Sequence, residues 1–111
     1  MKRILTQHKE KEPFERILKE KKKLEIRLYD KKRKKIKLGQ IIKILERGSN
    51  RHLFIKVMGL SRFPNFNTLF SILKDKTNSS DKKILEKIYS KSKEIKYGVL
   101  AIHFELIKPK K

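Results

Sequence analysis

The sequence predicts a single α+β domain built as a closed or nearly closed β-barrel with short flanking helices, and three observations carry that prediction. Strand-like segments stand near both ends of the chain, helix-periodic segments lie between them, and 111 residues at 37% hydrophobic content supply one modest core. Residues 1–111 therefore form one domain, with no internal repeat and no low-complexity linker.

Taken in order, Met1 to Thr6 reads as a first strand through Ile4 and Leu5, running into the polar stretch Gln7 to Lys11. Pro13 then sits in the first turn of a helix, with Glu12 and Glu15 near its positive end and Phe14, Ile17 and Leu18 on one face. After the Lys19 to Lys23 run, Leu24 to Tyr29 alternates strictly. Leu24, Ile26 and Leu28 share one face of a strand, and Glu25, Arg27 and Tyr29 the other, so the charged pair is expected to point away from the core.

Asp30 to Lys35 reads as a charged loop and Gly39 as a tight turn, before a strand from Gln40 to Leu45. A hairpin through Gly48-Ser49-Asn50 leads into a strand over His52 to Gly59. Phe66, Leu69, Phe70 and Leu73 recur at helical spacing after Pro64-Asn65, and Ser79 or Ser80 is the expected cap of another helix reaching Tyr89. Between these helices Lys74 to Asp81 is polar and expected to be mobile. Val99 to Ile107 is the last strand, apolar on both faces, followed by a frayed basic tail at 108–111.

The formal net charge is +20, and self-repulsion on that scale points to an anionic partner. Lys accounts for 25 of the 32 basic residues, and such richness is also what an AT-biased genome gives everywhere. Residues 19–37, however, hold eleven basic and three acidic residues, a concentration that general bias does not explain. The absence of cysteine removes disulfides, thiolate metal sites and cysteine nucleophiles, and suits a reducing cytoplasm. No apolar run reaches the roughly 18 residues a membrane-spanning helix needs, and the start of the chain has no signal-peptide core, so a cytoplasmic protein is expected. His8, His52 and His103 show no ligand spacing with carboxylates, and no metal site or cofactor is assigned.

Residues 12–47 set out a fixed order of features: Pro13-Phe14-Glu15-Arg16-Ile17, then Lys22-Lys23-Leu24-Glu25-Ile26-Arg27-Leu28-Tyr29-Asp30, then Lys32 to Ile42 around Gly39. This segment resembles the ASCH family, in which a short helix, a Gly/Lys turn, a K-T-I-E-x-R-like strand, a charged loop and a Gly-Asp turn follow one another. The likeness continues through Leu60-Ser61-Arg62-Phe63-Pro64-Asn65-Phe66, Tyr89-Ser90 and Tyr97-Gly98-Val99-Leu100-Ala101-Ile102, as in the bacterial single-domain members of similar length. The resemblance implies a PUA-like β-barrel and a cleft lined by the basic strand, and it implies RNA binding.

Under that resemblance Lys22, Lys23 and Arg27 would attract phosphates, helped by Lys32 and Arg33, while Tyr29, Phe63 or Tyr97 would stack a splayed base beside Arg62. Glu25 would accept from a base amino group. Plainer alternatives exist: Glu25 and Arg27 as a self-balancing surface pair, the 31–35 lysines as a solvated run, and Tyr89 and Tyr97 as core residues with their hydroxyls at the rim. The expected partner is RNA, single-stranded or structured, ribosomal RNA and tRNA included, bound by a monomer without a membrane.

Some ASCH members resemble amidohydrolases acting on acetylated cytidine, with a lysine three residues before a threonine and a later glutamate. Lys22 falls on the lysine position, but Glu25 stands at the threonine position and the later glutamate falls near Lys74 or Asp75, with no glutamate between Gly48 and Lys83. Lys22 and Glu25 are therefore the candidate catalytic pair of an alternative reading, RNA cleavage or modified-nucleoside hydrolysis. A third reading is docking on an acidic surface without pocket chemistry.

Overall fold

A computed structural model describes residues 4–108. Among them the strands are β1 (Leu5–Lys9), β2 (Leu24–Leu28), β3 (Ile41–Glu46), β4 (His52–Phe63) and β5 (Val99–Ile107), and the helices are α1 (Lys11–Leu18), α2 (Phe66–Ile72), α3 (Ser79–Ile88) and α4 (Lys91–Tyr97). Single 3₁₀ turns stand at Arg33–Lys35 and Lys74–Lys76. The fold is α+β: four short helices flank one curled five-stranded half-barrel sheet.

The strands run in the order β1-β3-β4-β5-β2, with β1 parallel to β3 and every other pairing antiparallel. β1 and β2 are thus the two edges. Alternation along β5 divides the apolar side chains between two cores, as a period of two requires. Leu100, Ile102 and Phe104 join Ile42, Ile44, Ile55, Val57 and the α1 residues Phe14 and Ile17 on one face. Val99 and Ala101 join Leu24, Ile26, Leu28, Phe66, Leu69 and Leu85 on the other, beneath α2 and α3.

The charged face of β2 lies inside the curl. Glu25 is paired with Ile102 and Arg27 with Leu100, so both project toward the first core. The alternation was read correctly and the exposure was not, because β2 is covered on both faces and Glu25 is only 4% exposed. On β1, Leu5 pairs with Ile42 and Lys9 with Glu46, which puts Lys9 on the same inner face. Lys9 then reaches Glu25 across the gap between the two edge strands, Nζ to Oε1 at 2.8 Å, so the sheet curls toward this side.

Other differences from the sequence reading are local. The first strand lies at Leu5–Lys9, later than expected, and Met1 to Arg3 fall outside the described residues, as do residues 109–111 of the tail. β4 continues past Gly59 to Phe63 because a register shift between Val57 and Gly59 lets the strand bend and keep pairing. Asn78, not a serine, caps α3, its side chain accepting from Ser80 N, and the polar stretch before it contains the 3₁₀ turn Lys74–Lys76. α4 was not foreseen. Ser90 caps it, and the buried Glu94 accepts from Phe66 N at 2.9 Å, fastening α4 to the start of α2.

Candidate nucleic-acid interface

At the seam between β1 and β2, the buried carboxylate of Glu25 is the centre of a cationic cluster. Its Oε1 takes Lys9 Nζ at 2.8 Å and Arg27 Nη2 at 2.9 Å, with Lys22 Nζ at 3.9 Å. The Lys9 and Glu25 side chains are 9% and 6% exposed, so this is an interior ion pair and not a solvated one. Burial pushes the Glu25 carboxyl up, but Arg27, Lys9 and Lys22 together outweigh it and hold the group below the ordinary carboxylate range. For Lys22, burial lowers the ammonium below its usual value, more than nearby Glu25 raises it.

Arg27 is held from two sides, since Nη1 also donates to Ile26 O at 2.8 Å. A guanidinium has five N–H donors, so most remain for a ligand. The cleft that Arg27 overlooks has a volume of about 410 Å³. β1 forms one wall and the 32–36 loop the other, with Ile102 among the lining residues. It gathers Lys9, Arg27, Lys32, Arg33, Lys35 and Arg47 and no carboxylate. Asp30 accepts from Arg33 at 2.9 Å and also from its backbone N–H, which pins the loop; with Lys9 and Arg27 on Glu25 and Arg47 on Glu10 at 3.5 Å, Lys32 and Lys35 are the cleft cations in no ion pair among the described residues.

A second hollow of about 320 Å³ opens where β2 and β4 end and β5 begins, lined by Tyr29, Arg62, Phe63 and Tyr97 around Gly98. Tyr29 carries the Arg62 guanidinium 4.0 Å from its ring centroid and the Lys34 ammonium at 5.5 Å. One ring face is therefore already stacked, and the exposed Arg62 is itself a planar surface for a base. Tyr97 packs partly on the outer core as well as lining this hollow. Tyr89 packs against that core and stacks with Phe66, its centroid 6.2 Å away, so it is a core residue.

Among solved structures, the chain is similar over 95% of its length to hypothetical protein PH0355, with 31% sequence identity, a TM-score of 0.77 and the whole of that chain covered. This chain belongs to the same family as that protein. Protein PF0455 from Pyrococcus furiosus is similar too, at 28% identity and a TM-score of 0.75, over 96% of this chain and all of that one. No family model and no curated protein matches.

Within this family fold, the residues named from the sequence fall into three places. Glu25, Arg27, Lys32 and Arg33 belong to the seam and its cleft; Tyr29, Arg62 and Tyr97 share the aromatic hollow; Lys22 and Lys23 line a notch behind the seam, with Lys22 also reaching toward Glu25. Lys9, Lys35 and Arg47 were missed. Lys9 lay in the polar stretch Gln7 to Lys11 read as following the first strand, although Leu5, Gln7 and Lys9 are the inward half of a period-two pattern. Asp75, near the position at which the ASCH resemblance would place a glutamate, lines an outer hollow with His103 and not the cleft. No group of three metal-ligating side chains occurs among the described residues, and no helix there is long and apolar enough to cross a membrane.

Proposed function

We propose that the protein is an ASCH-type, PUA-like RNA-binding domain that holds single-stranded or looped RNA in the cleft between β1 and the 32–36 loop. One observation carries this reading: six cations converge on the cleft with no carboxylate among its lining residues. A polyanion releases counterions on entering such a site, which makes affinity strongly salt-dependent. The aromatic hollow beyond Tyr29 supports a nucleic acid over a simple anion, since Arg62 and Tyr97 offer flat surfaces to an unstacked base.

Hydrolysis at Lys22 and Glu25 has one feature in its favour, the lowered pKa of Lys22. Against it, Glu25 is held ionised by three cations, which suits an electrostatic anchor and weakens it as a proton acceptor. The binding reading is therefore preferred. Fluorescence anisotropy with an unstructured RNA oligonucleotide at two salt concentrations tests it, using Lys32→Glu combined with Lys35→Glu. A loss of at least tenfold, with a shallower salt dependence, is expected. Unchanged affinity in that variant would remove the cleft from the binding surface, and release of nucleoside or shorter fragments would revive the hydrolytic reading.

A further inference from the structure

We propose that the notch behind the seam, between the end of α1 and the Lys74–Lys76 turn, is a second phosphate subsite that takes the phosphodiester of a nucleotide flanking the one in the cleft. The proposal rests on the RNA-binding reading of the cleft and adds a place where the strand leaves it.

The notch brings together Arg16, Lys21, Lys22, Lys23 and Lys76 around a space of about 60 Å³, with Asp81 the one carboxylate in its lining. One water needs roughly 10–15 Å³ of such space, so the notch has room for a small anion such as a phosphate group. Arg16, Lys21, Lys23 and Lys76 are exposed and none is in an ion pair among those of the described residues, although the same four also border the outer hollow, where carboxylates stand. The backbone helps to aim them. Lys21 N and Lys22 N both donate to Arg16 O, at 2.9 and 3.1 Å, folding the lysine run back over the end of α1.

Lys22 connects the notch to the cleft. It lines the notch, and its ammonium lies 3.9 Å from the Glu25 oxygen that also holds Arg27, a cleft residue. A strand leaving the cleft for the notch passes the edge of β2, where Lys9, Lys22 and Arg27 together outweigh the single Glu25 carboxylate. The same Arg16, Lys21, Lys23 and Lys76 also border the outer hollow of about 600 Å³, where Glu20, Asp75, Asp81 and Glu105 partly balance them, so that hollow attracts a phosphate less than the notch does.

The test measures binding of an unstructured RNA of about 12 nucleotides, a length within the range small single-strand binders cover, across a salt series. Three double variants carry the same charge change: Lys23→Glu with Lys76→Glu in the notch, Lys32→Glu with Lys35→Glu in the cleft, and, as the α4 variant, Lys93→Glu on α4 with Lys87→Glu at the end of α3. All six side chains are exposed, and unchanged melting temperatures confirm folding. The notch variant is expected to lose about tenfold in affinity and about 1.4 in salt slope, the value for two single-strand phosphate contacts, while the α4 variant loses less than about threefold. Equal losses in the notch and α4 variants overturn the subsite, because bulk charge then explains the effect. Loss in the cleft variant alone overturns the subsite and leaves the cleft standing; no loss in either overturns both.

Discussion

Glu25 decides much of the local chemistry because its one oxygen serves three cations. Replacing it with Ala leaves Lys9, Lys22 and Arg27 facing one another without a counter-charge, and removing one partner of an interior ion pair costs about 3–5 kcal/mol. Urea unfolding of Glu25→Ala should show a loss of about that size, which makes Glu25 variants poor probes of binding and the rim lysines better ones. Acid has the same target. Glu25 is held below the ordinary carboxylate range, and Glu46, hydrogen-bonded by Arg51 and Ser49, is held down to about 2. A carboxylate depressed in the folded state contributes stability that is complete above its unfolded value and is lost as pH falls through its folded one. Melting temperature should therefore hold steady from neutral pH to about 5 and fall steeply toward about 2, and Glu46→Gln should flatten some of that fall.

At the scale of elements, α1 ends in an arrangement that penalises its own sequence. Glu20 N donates to Ile17 O and Lys21 N to Arg16 O, the paired closure that places one residue in the left-handed region, and Glu20 sits there at φ 58°. Glycine adopts that conformation without strain, so Glu20→Gly should raise stability by about 0.5–1 kcal/mol, read as an increased urea midpoint at unchanged slope. Gly98, between α4 and β5, is the opposite case. Its φ is 72°, and a Cβ there would lie 3.1 Å from Phe63 O, so Gly98→Ala should cost about 1–3 kcal/mol. Elements with strong periodicity were legible: α1 from Phe14 and Ile17, α2 from Phe66, Leu69 and Phe70, and β5 from its continuous apolar run. α4 was not, because its sequence KSKEIKY buries one glutamate and leaves Ile95 exposed, so no apolar stripe announces it. The inward face of β2 was hidden for a related reason. Alternation says which side chains share a face, and only the path of a distant strand, here β1 bringing Lys9, says whether that face is wet.

For the whole molecule, charge is the governing quantity. With a net +20 on 111 residues, the folded state repels itself, and screening or neutralisation relieves the repulsion. The melting temperature should rise by a few degrees between very low and physiological ionic strength, and rise again on adding RNA at fixed salt, a gain attributable to binding through mass action. Scanning calorimetry separates the two increments. The general excess was plain from composition. The sorting of its members into cleft, hollow and notch was not, because Lys9, Arg27, Lys35 and Arg47 stand far apart in sequence and meet only when the sheet curls.

That curl is fastened at a point. Strands joined by a ladder of backbone hydrogen bonds separate rung by rung, and each remaining rung still holds the register. β1 and β2 are joined instead through Glu25 Oε1, which Lys9 addresses from one edge while Arg27 and Lys22 address it from the other. A single proton on that carboxylate, or a competing anion drawing the cations away, releases every tie of the clasp together. The seam therefore behaves as a latch whose release leaves β1 held by β3 alone, and the amides of β1 should exchange with solvent well before those of the central strand β4.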